Sequence, residues 1–402
     1  MKNKFMKAGT MNGGRLKMAR GAAALCCLAA LLLCAPPAFA GGGGAAGLQI
    51  LKSDISPRAM GMAGAFTAVS DDIYSMTYNP AGLGQLHFPE ASAMYLSGFE
   101  DSTLNFLAVG VPLPIKGLGG LAKPVAGISL LTSDAGSFTQ RTINGDGTVT
   151  SGSYDAQKDL ALTFSYGEKV FSGEVNLEAY KPKLDTYVGM SAKYLRSTIL
   201  EEYTASGFAA DFGCLVLDAE HGLSMGVSLS NMGSGLKYVS ANTKLPTILR
   251  LGLSYQHATI MDQAIILAAD GDFYTTEGQQ SYRVGLEYHF EKIFNLRLGY
   301  RAENDNPGMT VGMGLRYDDM SLDLGMAAAS EVYNASQLSF TYKFSGIKVK
   351  QYERKLKYKD VEPSKAGKPA KEAPQKAAPR KTAPKQDYPQ EKKKDSDLFM
   401  IF

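Results

Sequence analysis

The feature that most constrains this chain is a period-two alternation that recurs between residues 91 and 344. Its clearest segment is YRVGLEYHF, residues 282–290, in which every second residue is apolar and the others are arginine, glycine, glutamate and histidine. Successive side chains of a β-strand point to opposite faces, so this segment predicts a strand with one apolar and one polar face. Similar segments follow one another with turn-forming residues between them. The pattern predicts an all-β protein.

A soluble β-sandwich would also alternate, but three features favour a membrane β-barrel. The segments are about nine residues long, which is the length of strand that crosses a bilayer at a tilt. Their apolar faces often end in tyrosine or phenylalanine, as expected of an interfacial aromatic girdle. Their other faces carry glycine and charge, which suits a polar lumen that lies close to a plug.

Fourteen candidate strands can be counted, and single-chain bacterial barrels have an even number. Short connections such as Asp318-Asp319 alternate with longer ones such as 132–158, as expected of tight periplasmic turns and longer external loops. We therefore expect a 14-stranded antiparallel transmembrane β-barrel over residues 89–346. The expected strands lie near 91–99, 104–111, 124–131, 159–166, 187–195, 207–216, 222–230, 247–256, 264–274, 281–290, 294–301, 309–317, 320–328 and 337–344.

Residues 1–40 have the composition of a secretory signal peptide. Six lysines and arginines precede the apolar run from Gly21 to Cys34, and Ala38-Phe39-Ala40 is a small-x-small cleavage site, so we expect cleavage after Ala40. The basic region is long, which leaves Met1, Met11 or Met18 as the start. After cleavage Cys214 is the one remaining cysteine, so no intramolecular disulfide is expected.

The net charge of +3 averages unlike segments. Residues 347–402 carry 16 lysines and arginines against 8 acidic residues, whereas residues 41–346 carry 20 against 31. The acidic body gives no reason to expect nucleic-acid binding. The Lys/Ala/Pro-rich tail, 347–402, is expected to be extended and disordered. It is either a tail with a sticky end or a tether that docks exported cargo or a periplasmic envelope partner through Leu398, Phe399, Ile401 and Phe402.

Residues 41–88 are expected to form a hatch inside the lumen. The segment YSMTYNPAGLGQL (74–86) follows two aspartates that can cap a short helix, 72–78. Pro80 disfavours helix at the residue before it, and Gly82 and Gly84 then let the backbone bend. The candidate gate residues are Arg58, Asp71, Asp72, Asn79, Pro80 and Gly82.

Seven charged residues on strand faces opposite the apolar ones are expected to point into the lumen: Arg250, Arg283, Glu287, Arg297, Arg301, Arg316 and Asp323. Two interpretations remain open from sequence. These residues pair with one another and anchor the hatch, or they form an electrostatic lining for a solute or a partner.

The motifs that could carry catalysis do not have the context they need. GLSMG (222–226) has the form G-x-S-x-G, but the alternation continues through it, whereas a nucleophile elbow needs a turn into a helix. NGDGT (144–148) is expected to be a hairpin or loop turn, because the later carboxylates of a calcium loop are missing. The four histidines have no metal-ligand spacing. We expect no enzyme activity, cofactor or metal.

The chain resembles the PorV/PorQ-type barrels within the broader class of FadL-like outer-membrane proteins. The resemblance rests on SPRAMGMAGAFTAVSDDIYSMTYNPAGLGQL (56–86), SNMG (230–233), LPTILRLGLSY (245–255), LRLGYR (296–301) and LSFTYKF (338–344). It implies an outer-membrane barrel with an N-terminal hatch. It also implies an accessory role in protein export or cell-surface attachment or, as the alternative, uptake of a hydrophobic ligand across the outer membrane.

Overall fold

The computed structural model describes residues 46–98, 102–175, 182–238, 242–258, 263–303, 307–329 and 334–346. The predicted signal peptide and the predicted tail, with its docking residues Leu398, Phe399, Ile401 and Phe402, lie outside the described residues. Within the described ranges, no helix is long and apolar enough to cross a membrane.

Four short helical segments precede the strands. They are the 3₁₀ helices Gln49–Lys52 and Pro80–Gln85 and the α-helices α1 (Pro57–Gly61) and α2 (Ser75–Tyr78). Eighteen strands follow: β1 Glu90–Ser97, β2 Thr103–Pro112, β3 Val125–Asp134, β4 Ser137–Ile143, β5 Val149–Asp155, β6 Gln157–Glu174, β7 Lys183–Ile199, β8 Tyr203–Asp218, β9 Leu223–Gly233, β10 Leu236–Lys237, β11 Asn242–Thr243, β12 Ile248–Ala258, β13 Ala264–Tyr274, β14 Gln279–Phe290, β15 Phe294–Glu303, β16 Gly308–Tyr317, β17 Met320–Ala329 and β18 Asn334–Lys343.

Fourteen of these strands form one closed antiparallel barrel. Its order is β1-β18-β17-β16-β15-β14-β13-β12-β9-β8-β7-β6-β3-β2, and β1 pairs with both β18 and β2 to close it. The predicted 14-stranded antiparallel β-barrel is therefore confirmed. Two hairpins whose strands were not among the predicted ones, β4–β5 and β10–β11, lie outside the barrel sheet. NGDGT forms the turn of the first one, as expected.

The alternation separates two environments. On β15, Leu296, Leu298 and Tyr300 are about half exposed on the outer face, whereas Arg297 between them is buried on the inner face. Apolar side chains that face outward all around a closed sheet are typical of a membrane barrel.

The barrel has a proximal end, where β1 begins and β18 ends, and a distal end. The first described residues lie at the distal end, since the Ala46 and Gly47 N–H groups donate to Glu277 and to the Lys244 carbonyl in distal connections. From there the chain passes among inward-facing wall residues to β1 at the proximal end. We call residues 46–86 the plug.

Helix α2 is shorter than predicted. The helix begins at Ser75, and the Asp72 carboxylate accepts the Tyr74 N–H (2.9 Å) in the turn before it. The predicted end before Pro80 is confirmed, because Asn79 is extended and Pro80 starts a new 3₁₀ helix. Position 82 requires glycine for lack of space rather than for bending, because a Cβ there would overlap Ser70 and lie 2.8 Å from the Ser75 Cβ.

Candidate functional site

Arg58 on α1 is the centre of the first ionic network between plug and wall. Its guanidinium donates to both carboxylate oxygens of Glu287 (2.8–3.1 Å) on β14, and also to Asp71 and to Asp72 (3.0 Å). Burial raises the pKa of Asp72 to about 6, although Arg58 acts in the opposite direction. The three predicted gate residues Arg58, Asp71 and Asp72 therefore contact one another and one predicted lumen residue.

Glu287 joins this network to the wall. It is fully buried and accepts a hydrogen bond from Arg297 (2.8 Å), which in turn donates to Asp323 on β17 (2.7 Å). Removing one partner of a buried ion pair leaves an uncompensated charge and costs about 3–5 kcal/mol. The contact between α1 and β14 is therefore a strong attachment of the plug.

Asp54 forms the second network at a more distal level. It accepts hydrogen bonds from Arg283 (2.8 Å) and Arg301, while Arg283 and Arg250 both pair with Asp272 (3.2 and 3.3 Å). Although burial opposes ionisation, Arg301 and Arg283 hold the pKa of Asp54 below its usual value. The plug thus supplies an arginine to one wall carboxylate and a carboxylate to two wall arginines.

Asp270 on β13 holds the plug backbone. Its Oδ2 accepts the N–H groups of Phe66 (2.9 Å) and Thr67 (2.8 Å). Asp54, Asp270 and Asp272 are functional candidates that the sequence analysis missed. The two wall aspartates alternate with glycine in AADGDFY, so their inward direction was readable from the period-two pattern.

Inward-facing glycines let the plug backbone pack directly on the wall. A Cβ on Gly285 would lie 2.6 Å from the Met62 Cβ, and one on Gly325 would lie 2.5 Å from the Pro57 carbonyl. The same close approach occurs at Gly226, Gly252, Gly299 and Gly312. The two residue types of the polar strand faces therefore have complementary roles: the glycines let the plug backbone approach the wall closely, and the charged residues form ion pairs with the plug.

Asn79 and Pro80 lie against a second set of wall glycines. The Asn79 amide donates to the carbonyls of Thr67 and Cys214 (both 3.0 Å), and its Oδ1 caps the Ala81 N–H (3.2 Å). A Cβ at Gly189 on β7 would overlap the backbone of Pro80. Asn79 and Pro80 thus fix the plug to the middle of the wall.

The inward faces of β1, β2 and β3 differ from the charged ones. They present large apolar side chains to the apolar residues of the plug. We call this the apolar sector, and the inward faces of β12–β17 the charged sector. The apolar sector contains Met94, Leu96, Leu104, Phe106, Val125 and Leu131, and the plug contributes Ile50, Ile55, Ile73, Met76 and Leu83 to the same cluster.

A cavity of about 30 Å³ lies between the plug and the wall, with room for roughly two water molecules. Its lining includes the apolar side chains of Ile50, Ile55, Phe106 and Leu131 and the polar side chains of Tyr78, Lys193 and Arg250. The Tyr78 hydroxyl is buried and has no hydrogen-bond partner among the described residues. Lys193 is paired with Asp211 (2.7 Å).

Of the seven predicted lumen residues, six join these networks: Arg250, Arg283, Glu287, Arg297, Arg301 and Asp323. Arg316 on β16 is half-buried, and its Nε has no hydrogen-bond partner in the part of the chain that the structure describes. Mutual pairing that anchors the N-terminal segment therefore accounts for most of the charge in the lumen.

No family model and no curated protein sequence matches the chain. Its fold is similar to that of the toluene transporter TbuX of Ralstonia pickettii (11% identity, 72% of this chain and 98% of that chain, TM-score 0.48). The fold is also similar to that of the toluene transporter TodX of P. putida (12% identity, 68% of this chain and 94% of that chain, TM-score 0.44). A further similar structure is that of a Pseudomonas aeruginosa FadL homologue (11% identity, 72% of this chain and 98% of that chain, TM-score 0.41). At these identities and TM-scores the similarities carry no functional argument, and the fold rests on the strand pairing described above.

Proposed function

We propose that this chain is an outer-membrane channel for small hydrophobic molecules. In this proposal, solute passes along the apolar sector while the plug stays attached to the charged sector. The observation that carries the proposal is the division of the lumen: ion pairs hold one side of the plug, and apolar contacts hold the other.

The two sides differ in the cost of opening. Breaking a buried ion pair costs about 3–5 kcal/mol, and an apolar solute cannot replace it. An apolar solute can replace the contacts of Ile73 and Met76 with the wall, because the same area stays out of water at about 25 cal/mol per Å². Opening on the apolar sector is therefore the less costly route.

The cavity supports a preference for solutes with one polar atom. A buried hydroxyl without a partner costs about 1–3 kcal/mol, and a polar atom near Tyr78 would remove this cost. The apolar side chains of the cavity lining would take the rest of the molecule. In the closed state the cavity is too small for such a solute, so entry requires the plug to move.

The export role implied by the sequence resemblance has no support from the contacts of the described residues or from the similarities reported above. The hydrophobic channel, which the sequence analysis held as the alternative, fits the two-sided lumen better and is the function we propose.

The test is uptake by cells whose lipopolysaccharide layer is intact. Expression of the chain should speed entry of an uncharged aromatic fluorescent probe but leave entry of a disaccharide unchanged, because the plug packs against the wall in both the apolar and the charged sector. Leu131→Phe narrows the cavity and should slow probe entry, whereas Ile143→Phe in the exposed distal hairpin should not. Equal entry of probe with and without the chain would refute the channel. Entry of the sugar would indicate an open pore instead.

A further inference from the structure

The connection between β2 and β3 at the proximal end, residues 113–124, folds onto the outside of the barrel; we call it the rim loop. Glu168 lies on the same face of β6 as Phe164 and Tyr166, and Phe164 is exposed on the outer surface. The Glu168 carboxylate accepts the N–H groups of Leu118 (2.7 Å) and Gly119 (3.3 Å) and the Tyr166 hydroxyl (3.1 Å). Glu168 is fully buried as a result. The rim loop therefore covers an outward-facing carboxylate.

The rim loop is packed against β6 and held in one shape. A Cβ on Gly117 would overlap the Glu168 carboxylate, and one on Gly119 would lie 2.7 Å from the Val170 Cα. Gly120 has φ +64° and donates to the Gly117 carbonyl (3.0 Å), which closes a turn that other residues adopt with strain. These contacts fix the direction of the loop's remaining side chains.

Those side chains are apolar and exposed. In the rim loop, Leu118 is 89% exposed, Ile115 is 53% exposed and Leu121 is also exposed. Phe171 on the neighbouring strand β6 is exposed as well. The patch continues the outward apolar side chains of β2, such as Val111. A rigid loop that holds leucine and isoleucine outward is costly in water but favourable at the boundary between lipid headgroups and acyl chains.

One lysine of the rim loop suits the same environment. Lys116 is exposed and lies next to Ile115. A lysine beside an apolar patch is attracted to lipid phosphates at a membrane surface.

We propose that the rim loop inserts Ile115, Leu118 and Leu121 into the lipid leaflet at the proximal end of the barrel, with Lys116 at the phosphates. The insertion shields Glu168 from lipid and fixes the depth of the barrel on the side where β6 and β7 extend furthest. This proposal rests on the membrane location proposed above and is independent of what the channel carries.

The test uses the fact that the chain contains no tryptophan. Leu118→Trp gives a single probe in the rim loop, and Ile143→Trp gives a matched probe at a leucine-sized position of the hairpin β4–β5 at the distal end, where Ile143 is 75% exposed. The full-length variants are reconstituted into vesicles of phosphatidylcholine with phosphatidylglycerol. The Leu118→Trp emission should be shifted to the blue and quenched by lipids brominated near the headgroup end of the chain, at about 5–10 Å depth. The Ile143→Trp emission should respond to aqueous iodide instead.

Equal iodide quenching of the two tryptophans in vesicles would overturn the proposal. Protection of Leu118→Trp in native envelopes but not in pure lipid vesicles would also overturn it, because the patch would then be covered by a protein. A channel that fails in the uptake assay while Leu118→Trp is quenched by brominated lipid would refute the proposed transport and leave the insertion standing.

Discussion

Replacing Arg58 with methionine should release the plug without harming the barrel. The change removes the hydrogen bonds from Arg58 to Glu287 and the positive charge that pairs with Asp71 and Asp72. Glu287 keeps Arg297 as its partner. Loss of one partner of a buried pair costs about 3–5 kcal/mol, and each 1.4 kcal/mol is a factor of ten in an equilibrium constant. Opening of the plug should therefore become roughly 100- to 4,000-fold more frequent.

Hydrogen exchange measures this opening directly. Amides of residues 65–76 should exchange faster in Arg58→Met by that factor, while amides of β14 and β15 should exchange as in the unaltered chain. Lys158→Met is the control, since it removes exposed ion pairs to Asp155 and Asp134 that do not touch the plug and are worth about 0–1 kcal/mol. If the plug amides of Arg58→Met exchanged within about threefold of the unaltered chain, the network would not be an attachment.

Three further predictions concern the plug and the cavity. The pKa of Asp72 is raised to about 6 in the seated plug, so seating of the plug takes up a proton and weakens as pH rises through 6. Plug amides should therefore be less protected from hydrogen exchange at pH 7.5 than at pH 5, after correction for intrinsic exchange rates. Asp72→Asn should remove this difference. Gly189→Val should push Pro80 off the wall and lower plug protection by about 1–3 kcal/mol, whereas Gly145→Val, with open space around it, should change nothing in the same exchange measurement. Tyr78→Phe should leave the barrel's thermal stability equal or higher and lower the uptake rate of solutes with a polar atom, but not that of a pure hydrocarbon.

The barrel was predictable because its strands have one environment on each side. On β14 to β17 the outward residues are apolar and the inward ones are charged or glycine, so the alternation gives both the strand and its direction. On β1 and β2 the large inward residues, such as Met94 and Phe106, are as apolar as the outward ones. The apolar sector therefore could not be recognised from periodicity, and only the charged residues were selected as lumen candidates.

The partners within the lumen were not predictable from the sequence either. Arg58 and Glu287 are separated by 229 positions, and no local pattern identifies which wall carboxylate a plug arginine meets. The strands β4 and β5 were not predicted because both faces of this hairpin are largely exposed. Their sequences therefore lack the alternation of apolar and polar residues that identified the barrel strands.

The central claim is that the plug moves away from the apolar sector and stays on the charged one. A disulfide between Met76→Cys on the plug and Gly127→Cys on β3 tests it in a Cys214→Ser background, because the Met76 side chain contacts the position that a Gly127 Cβ would occupy. The matched pair on the other side is Ala63→Cys on the plug with Thr310→Cys on β16, where the Ala63 N–H donates to the Thr310 hydroxyl (2.9 Å).

The measurement is entry of the uncharged aromatic probe into cells before and after oxidation of each pair, and again after reduction. The account predicts that the bridge between residues 76 and 127 stops entry and that reduction restores it, while the bridge between residues 63 and 310 leaves entry unchanged. Undiminished entry with the plug bridged to β3, or loss of entry with the plug bridged to β16, would contradict it.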